Sequence, residues 1–260
     1  MPKLSDHQSS KFTKLLYLGD SSTGKTGSLV SLLQAGYKFR IVDMDNGLDS
    51  LFSFAKQLCP DKLNNVEYET IRDVYKATPS GVICQRPRAF VEASQLLTKW
   101  TSDEDPEAYG EDMIYVIDSL TAFGKASLDW ARGLNPSSKD GRQWYNTAQQ
   151  AVENIIALVT SEAFKANVIV ITHVQMREAA DGTIKGFPNA VGAALGPHLA
   201  KYFNTLILAE SRGSGDKVRR VIKTVPTGSI DLKNPAPFRV DKELPLETGL
   251  ATLFTKLKES

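Results

Sequence analysis

A glycine-rich segment near the start of the chain combines the residue types that bind phosphate groups. The stretch YLGDSSTGKTGSL covers residues 17–29 and fits the pattern GxxxxGK[ST]. Such a loop wraps backbone N–H groups around the β-phosphate of a nucleotide. The run KLLYL before it predicts a buried strand, and GKTGSLVSLLQ after it predicts a helix whose N-terminus favours anions. The expected nucleotide-binding residues are Gly19, Asp20, Ser21, Ser22, Thr23, Gly24, Lys25, Thr26 and Gly27.

An aspartate ends a later apolar run, MIYVID, at position 118. In open parallel sheets the ligand lies beyond the carboxyl ends of the strands. Asp118 is there the type of residue that holds Mg²⁺ through water, while Thr26 supplies a hydroxyl as a direct ligand. The alternative is that Asp118 or Ser119 caps the next helix. We favour the metal role because the phosphate loop lies upstream.

A second predicted strand end, IVDMDNGLDSLFSF, carries two acidic residues. Because side chains alternate along a strand, Asp43 and Asp45 project from the same face. Two carboxylates near a phosphate are costly unless a metal, a cation or an attacking water uses them. We expect Asp45 to orient or deprotonate that water. The alternative is that Asp43 or Asp45 caps the following helix.

A third strand end, VIVITHVQ, contains a histidine that breaks an apolar run. A lone histidine in such a place is more often a hydrogen-bonded core residue than a functional one. His173 nevertheless falls at the edge of the same predicted site. We therefore expect it to contact the γ-phosphate.

Strands and helices alternate along most of the chain, which predicts an α/β fold with a mostly parallel sheet flanked by helices. Amphipathic patterns predict helices over 87–100 and 147–160. After residue 204, two strand-like runs joined by Gly213, Ser214 and Gly215 predict a C-terminal β-hairpin at one edge of the sheet. The predicted strands cover residues 14–18, 39–45, 113–118, 167–174 and 204–210.

Length and composition indicate one domain over residues 13–260, preceded by a flexible tail over 1–12. The sequence shows no apolar targeting segment and no run long enough to span a membrane, so we expect a cytoplasmic protein.

The two cysteines, Cys59 and Cys84, are isolated in the sequence, so we expect both to be reduced thiols. The acidic stretch 101–113 predicts a surface loop. The net charge of +1 means that any DNA contact must come from a local cluster.

The ordered motifs resemble the core of RecA-type recombinases, a P-loop NTPase fold. They are GDSSTGKT, VDMDNGLDSLF, YVIDS, ITHVQMRE and GAALGPHLAKYFNTLILAE, and they cover about residues 13–225. Within that group the chain is similar to small phage-borne ATP-binding proteins of the Sak type, which are associated with single-strand annealing and recombination. The resemblance implies a homo-oligomeric, DNA-stimulated ATPase that uses ATP and Mg²⁺, binds single-stranded DNA and promotes annealing or strand exchange. Single-strand-binding and other replication or recombination proteins are its implied partners.

The resemblance also implies roles for single residues. Asp45 matches the acid that acts on the attacking water, a position commonly held by glutamate. Asp49 and Phe52 match residues on the adenine side, with core packing an equal alternative for Phe52. His173 stands where RecA itself often has glutamine, at a residue that senses the γ-phosphate and couples it to a mobile DNA-binding loop.

Two loops would then face DNA. One lies within 131–146 and the other, rich in glycine, within 176–192. Both combine cations with an aromatic side chain, which suits single-stranded DNA. Their candidate residues are Arg132, Lys139, Arg142 and Trp144 in the first loop and Arg177, Lys185 and Phe187 in the second.

The predicted C-terminal hairpin carries the densest cation cluster. These side chains either meet DNA or reach the γ-phosphate of a neighbouring subunit. The cluster comprises Arg212, Lys217, Arg219, Arg220 and Lys223.

Two other functions remain open. One is an ATP-gated DNA-binding mediator with negligible turnover, because the Asp45 side chain is short. The other is a motor or helicase-loader ATPase that acts on a protein partner.

Overall fold

The computed structural model describes residues 11–100, 108–138, 140–178 and 181–259. Within these residues eight strands form one sheet. They are β1 (Lys14–Gly19), β2 (Lys38–Asp43), β3 (Val66–Thr70), β6 (Gly110–Asp118), β7 (Ala166–Thr172), β10 (Thr205–Arg212), β11 (Arg219–Lys223) and β12 (Glu243–Pro245). Their order in the sheet is β12-β11-β10-β1-β7-β6-β2-β3. The strands from β3 to β10 in that order run parallel, and β11 and β12 add antiparallel pairs.

Two further β-hairpins lie outside the central sheet. One pairs β4 (Val74–Thr78) with β5 (Gly81–Arg86), and the other pairs β8 (Val174–Glu178) with β9 (Ile184–Pro188). The second hairpin follows β7 directly, at the carboxyl edge of the sheet. The helices are α1 (Lys25–Ser28), α2 (Val30–Gln34), α3 (Asp49–Leu58), α4 (Ala89–Thr98), α5 (Leu120–Leu134), α6 (Gly141–Thr160), α7 (Leu195–Leu199) and α8 (Leu246–Lys258).

Helices cover both faces of the sheet, and the central strands β1 and β7 are apolar on both sides for that reason. Along β1, Leu16 and Leu18 join one hydrophobic cluster with α4, α5 and α6, whereas Leu15 and Tyr17 join the other with α2, α3 and α8. All residues of β1 and β7 are buried. The central strands therefore hold the loops at their carboxyl ends in fixed positions.

The predicted fold class is confirmed: the sheet is mostly parallel, helices flank it, and the β10–β11 hairpin lies near one edge. The outermost strand on that side is β12, because it pairs with β11. The predicted strand 39–45 ends at Asp43, the strand 167–174 ends at Thr172, and the strand 113–118 begins earlier, at Gly110. The predicted helix 87–100 is shorter, and the one over 147–160 begins six residues earlier, at Gly141.

Both predicted DNA loops are largely regular structure. Over 131–146, α5 continues to Leu134 and α6 begins after Asp140, whose carboxylate accepts a hydrogen bond from the Arg142 N–H at 3.0 Å. Over 176–192, the β8–β9 hairpin takes up most of the stretch. An N-cap and cross-strand pairing thus order segments that their polar composition assigned to loops.

Some sequence expectations concern residues outside the described ranges. They are Lys139, most of the acidic stretch (101–107), and residues 1–10 of the predicted tail. Of the tail, the backbone oxygen of Phe12 accepts a hydrogen bond from Asn204 Nδ2 at 3.0 Å. None of the helices in the described ranges is long and apolar enough to cross a membrane.

Candidate nucleotide-binding site

The phosphate loop joins β1 to α1 and folds around its own lysine. Lys25 Nζ donates hydrogen bonds to the backbone oxygens of Gly19 and Asp20, each at 2.8 Å. Only 7% of Lys25 is exposed. Burial lowers the pKa of Lys25, and the carboxylates of Asp118, Asp20 and Asp45 oppose that shift. The loop therefore holds a cation in a partly dehydrated position, where an anion can contact it strongly.

The glycines of the loop are required by close packing. Gly24 has φ +88°, and a Cβ atom there would lie 2.5 Å from Leu246 Cδ2 on α8. A Cβ on Gly19 would lie 2.8 Å from the backbone oxygen of Ala209 on β10. A side chain at Gly19 would displace the backbone, whereas at Gly24 the positive φ itself disfavours any other residue. The GxxxxGK[ST] pattern thus fixes the shape of the loop as well as its chemistry.

Thr26 and Asp118 meet at the carboxyl end of β6. The Thr26 hydroxyl donates to Asp118 Oδ2 at 2.6 Å. Asp118 is 4% exposed, and burial raises its pKa to about 6, against the lowering effect of the Thr26 hydrogen bond. Ser119 caps α5 by accepting a hydrogen bond from the Ala122 N–H at 3.3 Å. Asp118 is therefore free of the capping role, and its oxygen and that of Thr26 form a donor set that suits Mg²⁺.

The two acids after β2 have different environments. Asp43 is 1% exposed, and its carboxylate accepts hydrogen bonds from the N–H groups of Asp45 and Gly47, each at 3.2 Å, and from Thr70 Oγ1 at 3.1 Å. Asp45 is exposed and lines the phosphate-loop cavity. Neither acid caps α3, whose N-cap is Leu48. Asp43 thus orders the loop, and Asp45 presents its carboxylate to the cavity.

His173 joins the phosphate loop to the β8–β9 hairpin. Its Nε2 lies 3.4 Å from Ser21 Oγ. Its backbone oxygen accepts a hydrogen bond from the Asn189 N–H at 2.8 Å, just beyond β9. Burial, followed by the nearby Lys25 ammonium, lowers the pKa of His173. Both effects disfavour the charged imidazolium at this position.

One cavity of about 410 Å³ is lined by Lys25, Thr26, Asp45, Asp118 and His173. Arg220 belongs to the same cavity on its own chain, with its Cδ 3.5 Å from the position of a Cβ on Gly24. The sequence placed Arg220 in a cationic cluster but did not indicate that it lines the phosphate-loop cavity of its own chain. The cavity residues that the sequence did not predict are Arg220 in this role, Gly47, Ser50, Phe54, Ser119 and Ile171.

Asp49 and Phe52 border a different cavity. Both lie on the first turn of α3 and line a cavity of about 420 Å³ between α3 and β3. The phosphate-loop residues do not line this cavity. Phe52 is 57% exposed and belongs to neither hydrophobic cluster. The structure therefore separates these two residues from the phosphate loop, although Asp43 borders their cavity.

The first predicted DNA surface contains a tethered tryptophan. Trp144 is half-buried against the core, and its Nε1 donates to the backbone oxygen of Asn135 at 2.9 Å. The Arg132 guanidinium lies 5.7 Å from the centre of its ring. Arg142 is exposed and pairs with Asp140 at 3.1 Å. Trp144 therefore has a structural contact that the sequence did not indicate.

The second predicted surface is the β8–β9 hairpin, where Arg177 and Lys185 are cross-strand partners. The Arg177 guanidinium contacts the backbone oxygen of Ala193 and lies 5.6 Å from the ring centre of Phe187. Lys185 is exposed. The two cations thus lie together on a hairpin that begins next to His173.

The cations of the β10–β11 hairpin are mostly paired. Glu243 of β12 lies 3.1 Å from Arg212, 3.6 Å from Arg219 and 2.7 Å from Lys223. Within the described part of the chain, no acidic group forms an ion pair with Arg220. Lys217 likewise forms no ion pair within these residues, and Arg220 is the unpaired hairpin cation that lines the phosphate-loop cavity.

Comparisons with known proteins found one family model and several solved structures that match this chain. The model of a family described as an AAA domain matches residues 11–236. No curated protein matches the chain. The solved RadB recombinase is 19% identical, with 82% of each chain covered and a TM-score of 0.46. A KaiC-like protein from Pyrococcus horikoshii OT3 is 11% identical, with 81% of this chain and 78% of that chain covered and a TM-score of 0.42.

The flagellar accessory protein FlaH from Methanocaldococcus jannaschii is 13% identical, with 84% of this chain and 79% of that chain covered and a TM-score of 0.42. The family match is of a different kind, because it runs from before β1 to beyond β11 and includes the phosphate loop, Asp118 and His173. The chain therefore belongs to the AAA domain family.

Proposed function

We propose that the chain is a Mg²⁺-dependent ATPase with a RecA-like core that binds single-stranded DNA and promotes annealing or strand exchange in phage-type recombination. The observation that carries the ATPase part is the arrangement of Lys25, Thr26 and Asp118 around one cavity with Asp45 and His173. This set combines a phosphate cation, two oxygen ligands, an acid for water and a polar sensor. Positioning and charge stabilisation of this kind supply most of phosphoryl-transfer catalysis.

Each residue of the set has one task. Lys25 gives up its hydrogen bonds to the loop carbonyls and donates to phosphate oxygens instead. The N–H groups of the loop donate to the same phosphates. Thr26 and Asp118 hold Mg²⁺, which when bound neutralises charge on the β- and γ-phosphates. Asp45 orients the attacking water in line with the bond that breaks, and its exposed carboxylate has room for that water. His173 responds to the γ-phosphate.

His173 also gives a route from nucleotide to DNA. Its main chain pairs with Asn189, so a shift of the imidazole is passed to both ends of the β8–β9 hairpin. Arg177 and Lys185 on that hairpin contact the DNA backbone. We place Arg142, Trp144 and Arg219 in the same DNA surface, and we assign Arg220 to the nucleotide of its own subunit. A two-state hairpin of this type is a common switch.

The remaining parts of the proposal come from the resemblance to RecA-type recombinases. We propose one ATPase domain over 13–260, a homo-oligomer, a cytoplasmic location and partners among single-strand-binding, replication and recombination proteins. Asp49 and Phe52 serve the adenine side, which requires α3 and its cavity to move toward the loop or a neighbouring subunit to complete the site.

The test is ATP turnover with and without single-stranded DNA in the presence of Mg²⁺. We expect DNA to stimulate turnover and Lys25→Ala to abolish both nucleotide binding and turnover. Tight ATP-dependent DNA binding without turnover would support the mediator function. Absence of DNA binding in every nucleotide state at low salt would favour a loader that acts on a protein partner.

A further inference from the structure

The β4–β5 hairpin stands at the same edge of the sheet as the nucleotide site. Thr70 at the end of β3 is in register with Asp43, and Asp43 is in register with Asp118. The chain enters the hairpin directly after this edge. At the root of the hairpin, Pro87 Cγ would lie 2.9 Å from a Cβ on Gly133, so the hairpin adjoins the end of α5. It is therefore next to the α5–α6 connection, which leads into Arg142 and Trp144.

One face of this hairpin is occupied by α5. Tyr75 and Cys84 are cross-strand partners on that face. The Tyr75 hydroxyl donates to Asp129 Oδ2 at 2.9 Å, and Lys125 Nζ lies 4.4 Å from the centre of the Tyr75 ring. Because neighbouring side chains alternate between faces, Val74, Lys76 and Ile83 point away from α5. A register shift between Val74 and Tyr75 places Arg86 opposite Val74, so Arg86 shares that outer face.

The opposite face is a solvent-exposed surface of cations and aliphatic side chains. Lys76 pairs across the strands with Ile83, and Val74 pairs with Arg86. Val74 is 58% exposed and Ile83 is 51% exposed. Arg88, also exposed, follows at the root. We call Val74, Lys76, Ile83, Arg86 and Arg88 the outer hairpin surface.

The charge of the outer hairpin surface is not neutralised. Residues 74–88 contain no aspartate or glutamate. Within the described ranges, Lys76, Arg86 and Arg88 form no ion pair. The neighbouring acid Asp73 is used otherwise, because its Oδ1 accepts hydrogen bonds from the N–H groups of Arg88 at 2.8 Å and Ala89 at 2.9 Å. Three cations therefore face solvent at the edge where we place the DNA.

We infer that the outer hairpin surface binds the phosphate backbone of single-stranded nucleic acid, as an extension of the DNA surface in the proposed function, on which this inference rests. The unpaired cations match phosphates, and Val74 and Ile83 offer apolar contacts to sugars and bases. None of its five residues is aromatic, and the nearby Tyr75 ring is held against Lys125, so the contact is to the backbone and independent of sequence. Charge complementarity carries the choice of partner, because three cations without an ion pair in the described part of the chain suit the regularly spaced charges of a phosphate backbone.

The test is the charge-reversal variant Lys76→Glu/Arg86→Glu, compared with Lys56→Glu/Lys242→Glu. The control makes the same change in net charge at two exposed lysines on other parts of the molecule. Binding of a labelled oligo(dT) is measured by fluorescence anisotropy across a range of salt concentrations. Each phosphate contact contributes about 0.7 to the slope of log K against log salt for single strands. Loss of two contacts therefore lowers the slope by about 1.4.

We expect the hairpin variant to bind at least tenfold more weakly than the control, with the smaller salt slope and with unchanged DNA-independent ATP turnover. Equal binding by the two variants overturns the inference and leaves the proposed function intact. No binding by the unmodified protein in any nucleotide state overturns both. Competition by poly-glutamate as strong as that by unlabelled oligo(dT) overturns the assignment to nucleic acid. Circular dichroism melting establishes that both variants fold.

Discussion

The Thr26 hydroxyl and the Asp118 carboxylate, 92 residues apart in the chain, form a 2.6 Å hydrogen bond at the centre of the candidate site. The bond joins the first turn after the phosphate loop to the end of β6. It satisfies one oxygen of a carboxylate that is otherwise buried beside Asp43 and Asp45. The carboxylates of the site therefore repel one another, and a divalent cation together with Lys25 can offset that repulsion.

Asp118→Asn is expected to stabilise the metal-free protein while abolishing ATP turnover. The folded-state pKa of Asp118 is about 6, above its usual value of 3.8. Between these values the folded state binds more protons than the unfolded state, so the free energy of unfolding falls as pH rises from about 4 to 6. Above pH 6 the full cost applies, and asparagine removes roughly 2 to 3 kcal/mol of it.

Urea denaturation in EDTA at pH 5 and pH 7.5 measures this effect. The gain in stability of Asp118→Asn should be larger at pH 7.5. Asp43→Asn is the matched control, because its carboxylate oxygens are already satisfied by two N–H groups and Thr70, and it should lose stability at both pH values. An Asp118→Asn protein less stable than the unmodified protein at pH 7.5 would show that burial does not strain this carboxylate.

Asp45→Asn is expected to keep ATP and Mg²⁺ binding and to lower turnover by about a hundredfold, the usual loss for a positioned base. Asp45 makes no hydrogen bond through its side chain within the described residues, so the fold should not change. The kcat of ATP hydrolysis and the Kd of a fluorescent ATP analogue separate the two effects. A loss of affinity with unchanged kcat would move Asp45 from the water to the metal.

Trp144→Ala is expected to destabilise the fold by about 2 kcal/mol, because it removes a half-buried ring and the hydrogen bond to Asn135. Trp144→Phe keeps an aromatic ring but loses the hydrogen bond and part of the packing of the indole, so it should cost less than Trp144→Ala, about 1 kcal/mol. Chemical denaturation measures both. If Trp144 also stacks on a base, DNA affinity should follow the presence of an aromatic ring and survive in Trp144→Phe.

The elements that the sequence predicted well are those whose apolar residues are buried on both sides. β1 and β7 read as continuous apolar runs because helices cover both of their faces. The phosphate loop could be predicted because its glycines are set by local geometry. Asp118, Asp45 and His173 could be placed near it because parallel strands end at one edge.

The parts that were missed depend on contacts between distant segments. β3 and the β4–β5 hairpin have mostly exposed residues, and their mixed composition gives no clear period. β12 has three residues and exists through its pairing with β11. No local pattern indicates that Glu243 neutralises Arg212, Arg219 and Lys223 and leaves Arg220 beside the phosphate loop. Such assignments require the register of the sheet.

The assignment of Arg220 to the nucleotide of its own subunit is tested against Arg219, its neighbour on β11. Arg220 lines the phosphate-loop cavity, whereas Arg219 pairs with Glu243. Arg220→Ala should weaken ATP binding or lower kcat by at least tenfold, because a charge-assisted hydrogen bond to phosphate is lost in a partly dehydrated site. Arg219→Ala should leave both values within twofold of the unmodified protein.

Mixing experiments distinguish action within one subunit from action on a neighbour. An Arg220→Ala subunit retains its own Lys25, and a Lys25→Ala subunit retains its own Arg220. If Arg220 serves a neighbour, hybrid oligomers of the two variants contain an intact site, and mixing restores turnover. If it serves its own subunit, every site lacks one cation, and the mixture stays as inactive as its components. The position of Arg220, with its Cδ 3.5 Å from a Cβ placed on Gly24 of the same chain, predicts the second result.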